Sequence, residues 1–272
     1  MKKAQYTLLL AFLMIFADCS RVPITGRRQL DLVPDQQINE MSQSAYNETL
    51  AQANLSDNQQ QVDLVRRTGQ NIARAIETYF HENNMEDEIA NYDWEFNLID
   101  DPQVNAWAMP GGKVAFYTGI LPIAEDETGL AVIMGHEIAH VIAKHGHERM
   151  SQALTAEMGG MALSVALNER PQQTQQLFMA AFGLGAQVGV LLPYSRRMES
   201  EADRLGMIFM ALAGYNPEAA ASFWQRMAAV SQGAQPPEFL STHPATERRI
   251  NDLQEHLPEA MEYYRREVSK VK

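Results

Sequence analysis

Apolar residues recur at helical spacing along most of the chain, and a strand-like alternation is confined to one stretch near its middle. Residues 34–55 are polar with a thin apolar stripe, which predicts an amphipathic helix. A second helix is predicted from Asp57, a suitable N-cap residue, to the acidic loop at 83–91. Its apolar positions lie at helical spacing: Val62, Val65, Ile72, Ile76 and Phe80.

The strand-like stretch follows this loop and predicts a small antiparallel sheet. Trp94, Phe96 and Leu98 alternate with polar residues and therefore share one face of a strand. A Pro-Gly-Gly turn at 110–112 then joins two further apolar segments. This arrangement is typical of a β-hairpin.

Beyond Leu121, nearly all of the remaining sequence predicts helix. Breaks are expected where Gly, Pro, Asn and polar residues cluster, at 168–174, 193–195, 214–217 and 233–244. The pattern as a whole predicts a single α+β, mostly helical domain over 34–272, preceded by an extended lead-in at 20–33.

One apolar run, 177–192, requires a choice between a membrane span and a core helix. It has sixteen residues and includes Gln187, which is short of the roughly 20 residues that cross a bilayer. A buried core helix is therefore the preferred interpretation.

The N-terminus resembles a bacterial lipoprotein signal. Lys2 and Lys3 precede an apolar run at 6–17 that is too short to span a bilayer, and Cys19 follows it. We therefore expect residues 1–19 to act as an export signal, with Cys19 as the lipidated start of the mature chain. Asp18 departs from the small residues that usually precede such a cysteine. The alternative is a cysteine that is removed with the signal or left as an idle thiol.

Composition narrows the possible partners. The chain of 272 residues carries 22 Lys plus Arg against 34 Asp plus Glu, a net charge of −12. This balance argues against binding to nucleic acid or to an anionic membrane surface. A single cysteine excludes an intramolecular disulfide.

The motif with the clearest chemistry is Gly-His-Glu-Ile-Ala-His at 135–140. Four residues advance about 400° around a helix, so His136 and His140 leave the same face and can hold one tetrahedral Zn²⁺ ion. Glu137 lies about 100° from His136, where it can activate water. This geometry indicates a zinc hydrolase. The alternative is a pair of histidines that cap or pack a core helix.

The neighbouring histidines do not complete such a site. A metzincin needs Gly and His where this chain has Ala143 and Gly146. His145 and His147 are treated as part of the same helix, pointing away from the site or lying too far along it. We expect His145 to be a buried packing residue and His147 to be solvated.

A better third ligand lies in the segment 195–206. On a helical wheel, Glu199 and Asp203 border the apolar stripe on one side, whereas Glu201 lies on the other side, towards Arg204 and solvent. We assign Glu199 as the third ligand and Asp203 as the acceptor of a ligand imidazole N–H. The alternative is an ordinary amphipathic helix with a solvated acidic edge.

Four motifs, together with the lead-in at 22–30, resemble a known family. The chain is similar to the gluzincin-type zinc metalloendopeptidases, the family of the CAAX prenyl proteases, the HtpX heat-shock protease and BepA. The resemblance covers residues 22–256, and the motifs lie at 104–112, 136–150, 195–206 and 241–250.

This resemblance implies a zincin-like (minigluzincin) fold, one Zn²⁺ per chain and further site residues. Asn105 and Ala106 are expected on an edge strand beside the cleft, where a substrate chain adds through main-chain hydrogen bonds. His243 and Arg249 are expected near the metal, where they steady the developing oxyanion. In some members the equivalent of His243 also occupies the metal as a fourth ligand.

The resemblance further implies a zinc-dependent endopeptidase that hydrolyses misfolded or misassembled exported proteins. Unlike HtpX and BepA, the chain shows neither membrane spans nor a helical-repeat domain, so we expect a periplasmic domain tethered to the outer membrane by lipid only. A rival hypothesis is a gated or latent protease that acts mainly as a chaperone-like binding factor. A purely structural zinc site is disfavoured, because such sites are usually rich in Cys.

Overall fold

The described residues of the computed structural model are 19–159, 161–182, 195–230 and 237–270. The signal-like segment 1–18 and residues 183–192 of the predicted core helix lie outside them. The helices are α1 Asp35–Gln52, α2 Gln59–Glu82, α3 Leu121–Ala124, α4 Glu127–Ile142, α5 His145–Met158, α6 Leu163–Glu169, α7 Pro171–Ala181, α8 Arg196–Leu212, α9 Ala219–Val230, α10 Glu238–Thr242 and α11 Glu247–Lys270. The strands are β1 Cys19–Arg21, β2 Arg28–Leu30, β3 Glu95–Ile99, β4 Ala106–Met109 and β5 Lys113–Tyr117.

These elements confirm the predicted mostly helical α+β fold. α1 and α2 lie where the apolar stripes predicted them. The predicted cap was wrong by one residue: Asn58, not Asp57, accepts a hydrogen bond from the Gln61 N–H at 3.2 Å. The extended lead-in folds back on itself, and β1 pairs with β2 in an antiparallel ribbon.

The main sheet has three strands in the order β3-β5-β4. The predicted hairpin is present, because β4 and β5 pair antiparallel across the turn at Gly111 and Gly112. Strand β3 pairs with β5 in parallel, so the sheet is mixed rather than wholly antiparallel. β5 is therefore central, and β4 is left at one edge.

Both faces of this sheet are covered, which explains why every residue of β5 is buried. Val114 and Phe116 face the main core together with α2, α4 and α8. Ala115 and Tyr117 face a second cluster, with residues of α1, α5 and α7. Successive side chains of β5 point to opposite faces of the sheet, so this strand contributes residues to both hydrophobic clusters.

Helices α4 and α8 approach each other unusually closely. A Cβ atom added at Gly135 would lie 2.6 Å from the carbonyl oxygen of Gly206, and one added at Gly206 would lie 2.8 Å from the backbone nitrogen of His136. The two glycines therefore allow backbone-to-backbone packing, which brings the 199–203 face of α8 against His136 and His140 of α4.

Helix α4 ends earlier than the sequence suggested. The chain turns at Lys144, which adopts a left-handed conformation with φ +52°, and α5 begins at His145. The assumption of one continuous helix through His145 and His147 was therefore wrong. Among the described residues, no helix has both the length and the apolar character needed to cross a bilayer.

Candidate metal centre

Four buried side chains converge between α4, α8 and the segment that follows α10. They are His136, His140, Glu199 and His243, and one potential ligand atom from each lies within 4.8 Å of all the others. His136 Nε2 is 3.1 Å from His140 Nε2 and 3.1 Å from His243 Nδ1. Glu199 Oε1 is 3.3 Å from His140 Nε2 and 2.9 Å from His243 Nδ1.

These separations fit the edges of a small tetrahedron. Ligand bonds of about 2.0–2.1 Å to zinc place neighbouring ligand atoms roughly 3.3 Å apart. Imidazole nitrogens and a carboxylate oxygen are donor types that zinc prefers in proteins. The cluster is therefore suited to binding one metal ion.

The protonation states also suit a cation. Burial holds the pKa values of His136 and His140 well below the usual histidine range, so both rings are neutral and can donate a lone pair. Burial alone would raise the pKa of Glu199, but His243 and Arg249 outweigh it and hold that pKa well below its usual range. The site thus presents two neutral imidazoles and one carboxylate.

Glu137 lies beside this cluster without joining it. Its Oε1 is 3.5 Å from His243 Nε2, and a backbone hydrogen bond links its carboxylate to Ala108 on the edge strand β4. Burial raises the pKa of Glu137 to about 7. A carboxylate with such a pKa can both accept and return a proton near neutral pH.

Asp203 and Arg249 form the back of the site. Asp203 Oδ1 lies 3.0 Å from His136 Nδ1, on the far side of the ring from the cluster. Arg249 Nε and Nη2 donate to the Asp203 carboxylate at 2.8 and 2.7 Å, and Arg249 Nη1 is 2.9 Å from Glu199 Oε2. One guanidinium therefore holds two of the three acids of the site.

Sequence analysis did not identify Trp224, which supports this arginine. The Arg249 guanidinium carbon lies 3.2 Å from the centroid of the Trp224 ring, and the ring also meets His136 edge-on at 5.6 Å. The stacked ring stabilises the buried cation. No feature of the sequence around α9 distinguishes this tryptophan from an ordinary core residue.

The edge strand β4 borders the cluster, and Ala106 is its first residue. The Asn105 carbonyl accepts from Tyr117 N–H at 3.1 Å, so the antiparallel alternation turns the backbone groups of Ala106 and Ala108 away from β5. The Asn105 side chain accepts from Ala106 N–H at 3.0 Å. The outward main-chain groups are thus those of Ala106 and Ala108, while the carbonyl of Asn105 faces the sheet.

Two predicted solvent-facing residues are buried instead. Glu201 is 8% exposed, because the lead-in covers this side of α8 and brings Thr25 and Arg27 to its carboxylate. His147 is 4% exposed and lies 3.3 Å from Asp35 at the start of α1. The predictions were wrong because both partners are distant in sequence. His145 is buried, as predicted.

Comparison with known proteins places this arrangement in a family context. Residues 43–257 match Peptidase family M48. The mitochondrial metalloendopeptidase OMA1 of Schizosaccharomyces pombe is 34% identical over 246 residues, covering 90% of this chain and 68% of that protein. The human metalloendopeptidase OMA1 is 30% identical over 261 residues, covering 93% of this chain and 48% of that protein.

A bacterial relative also matches. The putative beta-barrel assembly-enhancing protease of Vibrio cholerae is 34% identical over 168 residues, covering 59% of this chain and 34% of that protein. The chain thus spans about half of the human relative and a third of the bacterial one.

Proposed function

The chain belongs to peptidase family M48 and is a zinc metalloendopeptidase, and from this premise we propose that His136, His140 and Glu199 hold the zinc ion while Glu137 is the general base. The observation that carries this assignment is the convergence of three ligand atoms from α4 and α8, with the Glu137 carboxylate at their side.

A bound zinc ion supplies the Lewis acid that activates water and polarises the scissile carbonyl. Glu137 takes the proton from the attacking water and returns it to the nitrogen of the leaving amine as the C–N bond breaks. Its pKa of about 7 suits both transfers. Asp203 orients the ring of His136, and Arg249 holds Asp203 and Glu199 in place.

Substitution Glu137→Gln tests the central role. The variant keeps the three ligands and is expected to bind zinc like the wild type, but to lose casein cleavage by at least about 100-fold, as general-base removal does. Zinc content and cleavage are measured on the same preparation. Cleavage within a few-fold of the wild type would refute the assignment of Glu137.

A peptide substrate is proposed to lie along β4. The outward carbonyl oxygens of Ala106 and Ala108 can accept hydrogen bonds from an extended chain beside Glu137, whereas the N–H groups of these residues already donate to the Asn105 side chain and to the Glu137 carboxylate. Recognition through the main chain is largely independent of side-chain sequence. It therefore suits an endopeptidase that acts on many unfolded proteins.

For the physiological role, we propose quality control of misfolded or misassembled exported proteins in a bacterial cell envelope. The similarity to beta-barrel assembly-enhancing proteases supports this role, and the signal-like N-terminus ending at Cys19 supports a periplasmic, lipid-tethered location. Envelope proteins that copurify with the Glu137→Gln variant identify the substrates.

A lipid tether at Cys19 predicts that the wild-type protein is labelled by radioactive palmitate. The Cys19→Ser variant should show no such labelling.

A gated protease is the second candidate, and the burial of the site favours it. His136, Glu137, His140 and His243 are each at most 3% exposed. Helix α10 is fastened beside the edge strand, because Phe239 N–H donates to the Val104 carbonyl at 3.3 Å. We therefore propose that α10 and His243 move when a substrate chain binds along β4.

The gate is tested with His243→Ala. If His243 occupies the metal in a latent state, the variant should cleave casein faster than the wild type at equal zinc content. If cleavage falls instead, His243 serves the reaction itself, as in oxyanion stabilisation. His81→Ala, the same substitution at an exposed position in the last turn of α2, serves as the control.

A further inference from the structure

A chain of buried polar contacts connects the lead-in to His140. It runs from Thr25 and Arg27 through Glu201 and His145. We propose that the lead-in is a positioning element of the metal centre, in which Thr25 and Arg27 fix Glu201 so that His145 sets the ring orientation and tautomer of His140. The inference rests on the proposed role of His140 as a zinc ligand.

The first step is the fixed carboxylate of Glu201. Its Oε1 accepts from the Thr25 hydroxyl at 2.5 Å, and its Oε2 accepts from Arg27 Nε at 2.5 Å. Arg27 also reaches Glu148 at 2.8 Å and the Gln29 side chain at 3.0 Å. Because the side chains of Arg27 and Glu201 are each only 7% exposed, this charge pair is weakly screened.

The second step passes through His145, which is completely buried. Its Nε2 lies 3.0 Å from Glu201 Oε2, and its Nδ1 lies 2.9 Å from His140 Nδ1. A carboxylate can only accept, so in the neutral ring of His145 the single proton lies on Nε2 and Nδ1 is left as an acceptor. This nitrogen therefore accepts a hydrogen bond from the N–H group at Nδ1 of His140.

The consequence reaches the metal centre directly. With its proton on Nδ1, His140 directs the lone pair of Nε2 towards the metal site that it forms with His136 and Glu199. The opposite tautomer would place a proton at Nε2, where it would block metal binding. The contacts of Glu201 thus select the ligating form of His140.

The other histidine is supported by the same logic. His136 Nδ1 faces Asp203, and Asp203 is held by Arg249. Each histidine is therefore backed by a carboxylate that an arginine fixes, directly for His136 and through His145 for His140. The two arginines come from different parts of the chain. Arg249 belongs to α11, whereas Arg27 belongs to the lead-in.

The lead-in is held against the rest of the molecule by burial and hydrogen bonding. The chain reverses through Ile24 and Gly26, which both adopt left-handed conformations with φ +66° and +68°. Val22 is buried in the main core at 1% exposure, and Leu32 N–H donates to Ser151 Oγ at 2.9 Å. The hairpin is thus anchored on both sides of Thr25 and Arg27.

Zinc affinity tests the proposal independently of cleavage. His145→Phe keeps a ring in the buried position but removes both nitrogens, and we expect zinc to bind about 10–100-fold more weakly. Arg27→Met should weaken zinc binding about 10-fold, while Arg28→Met, at the exposed neighbouring position, should change it less than two-fold. Affinity is measured by competition with a chromophoric chelator, on variants whose circular dichroism matches the wild type.

The tautomer gives a second readout that needs no metal. In the zinc-free wild type, ¹⁵N-resolved imidazole spectra should show His140 protonated on Nδ1, and His145→Phe should mix the two tautomers. Should the larger substitutions prevent folding, Thr25→Val removes one hydrogen bond at nearly constant volume and should still weaken zinc binding a few-fold.

Two results would overturn the proposal: unchanged zinc affinity in folded His145→Phe or Thr25→Val, or His140 protonated on Nε2 in the zinc-free wild type. The variant His140→Ala separates this from the proposed function. If it binds zinc as tightly as the wild type, the ligand assignment itself is wrong, whatever the lead-in does.

Discussion

Asp35, at the start of α1, contacts Lys144 in the bend between α4 and α5 and His147 in the first turn of α5. His147 Nε2 lies 3.3 Å from its Oδ1, and Lys144 Nζ donates to Oδ1 and Oδ2 at 3.0 and 2.8 Å. The contact with His147, together with the hydrogen bonds from Lys144, outweighs partial burial and holds the pKa of Asp35 well below its usual range. These contacts hold the polar N-terminus of α1 beside the C-terminal end of α4, the helix that carries His136 and His140.

This contact predicts a pH-dependent contribution to stability. The folded pKa of Asp35 lies below the unfolded value of about 3.9, so the contribution is complete above that value and shrinks as the pH falls below it. Asp35→Asn should lower the free energy of unfolding at pH 7 by about 1 kcal/mol or less, since the side chain is half-exposed.

Urea denaturation at pH 7 and pH 3 measures the effect. The difference between wild type and Asp35→Asn should narrow at pH 3, whereas Asp57→Asn at an exposed position should stay within about 0.5 kcal/mol at pH 7. A difference that grows in acid would contradict the assignment of this carboxylate.

At the scale of the elements, the crossing of α4 and α8 decides whether a metal centre exists. Gly135 and Gly206 let the two backbones meet, and this approach places Glu199 against the two histidines of α4. Helix α4 is buried from Gly129 to Ile142, so it has neighbours on every side and cannot yield easily. The distance between ligand atoms is therefore set by backbone contact as well as by side-chain choice.

Gly206→Ala tests this packing. Alanine raises helix propensity by roughly 1 kcal/mol, but its methyl group would meet the His136 backbone at 2.8 Å, and overpacking of this kind typically costs about 1–3 kcal/mol. Because backbone atoms cannot rotate away, we expect net destabilisation and weaker zinc binding. Thermal unfolding and zinc titration measure both effects, with Ser200→Ala on the same helix as control. A more stable variant with unchanged zinc affinity would show that the helices can separate freely.

At the scale of the whole molecule, the metal centre joins segments that are distant in sequence. α4 contributes two histidines, α8 contributes Glu199, and the region between α10 and α11 contributes His243. A bound ion would therefore link α4 to α8, and with His243 as a fourth ligand it would also link the region between α10 and α11.

Removal of zinc should consequently lower thermal stability. Binding at a free zinc concentration of 100 times Kd adds about 2.7 kcal/mol, which corresponds to roughly 5–10 °C in Tm for a protein of this size. Calorimetry of the zinc-free and zinc-loaded protein measures the shift. The shift should largely vanish in His136→Ala, and an equal shift in that variant would place the ion elsewhere.

The local parts of this architecture could be predicted from the sequence. Apolar spacing predicted α1, α2 and the hairpin, because amphipathic elements carry their burial pattern in their own residues. The i, i+4 pair at His136 and His140 predicted a common face for the same reason. The wheel of α8 likewise placed Glu199 and Asp203 on one side, where the structure has them next to the two histidines.

The order of residues therefore sets which side chains share one face of a helix or strand. What each face contacts is set by the packing of distant elements in the folded chain. The helical wheel of α8 predicted that Glu201 points away from Glu199, but the environment of Glu201 depends on Arg27, 174 positions earlier. The position of His147 likewise depends on where α4 ends. Helical and strand periodicity are local properties, whereas burial and ion pairing are set by elements that meet only when the whole chain has folded.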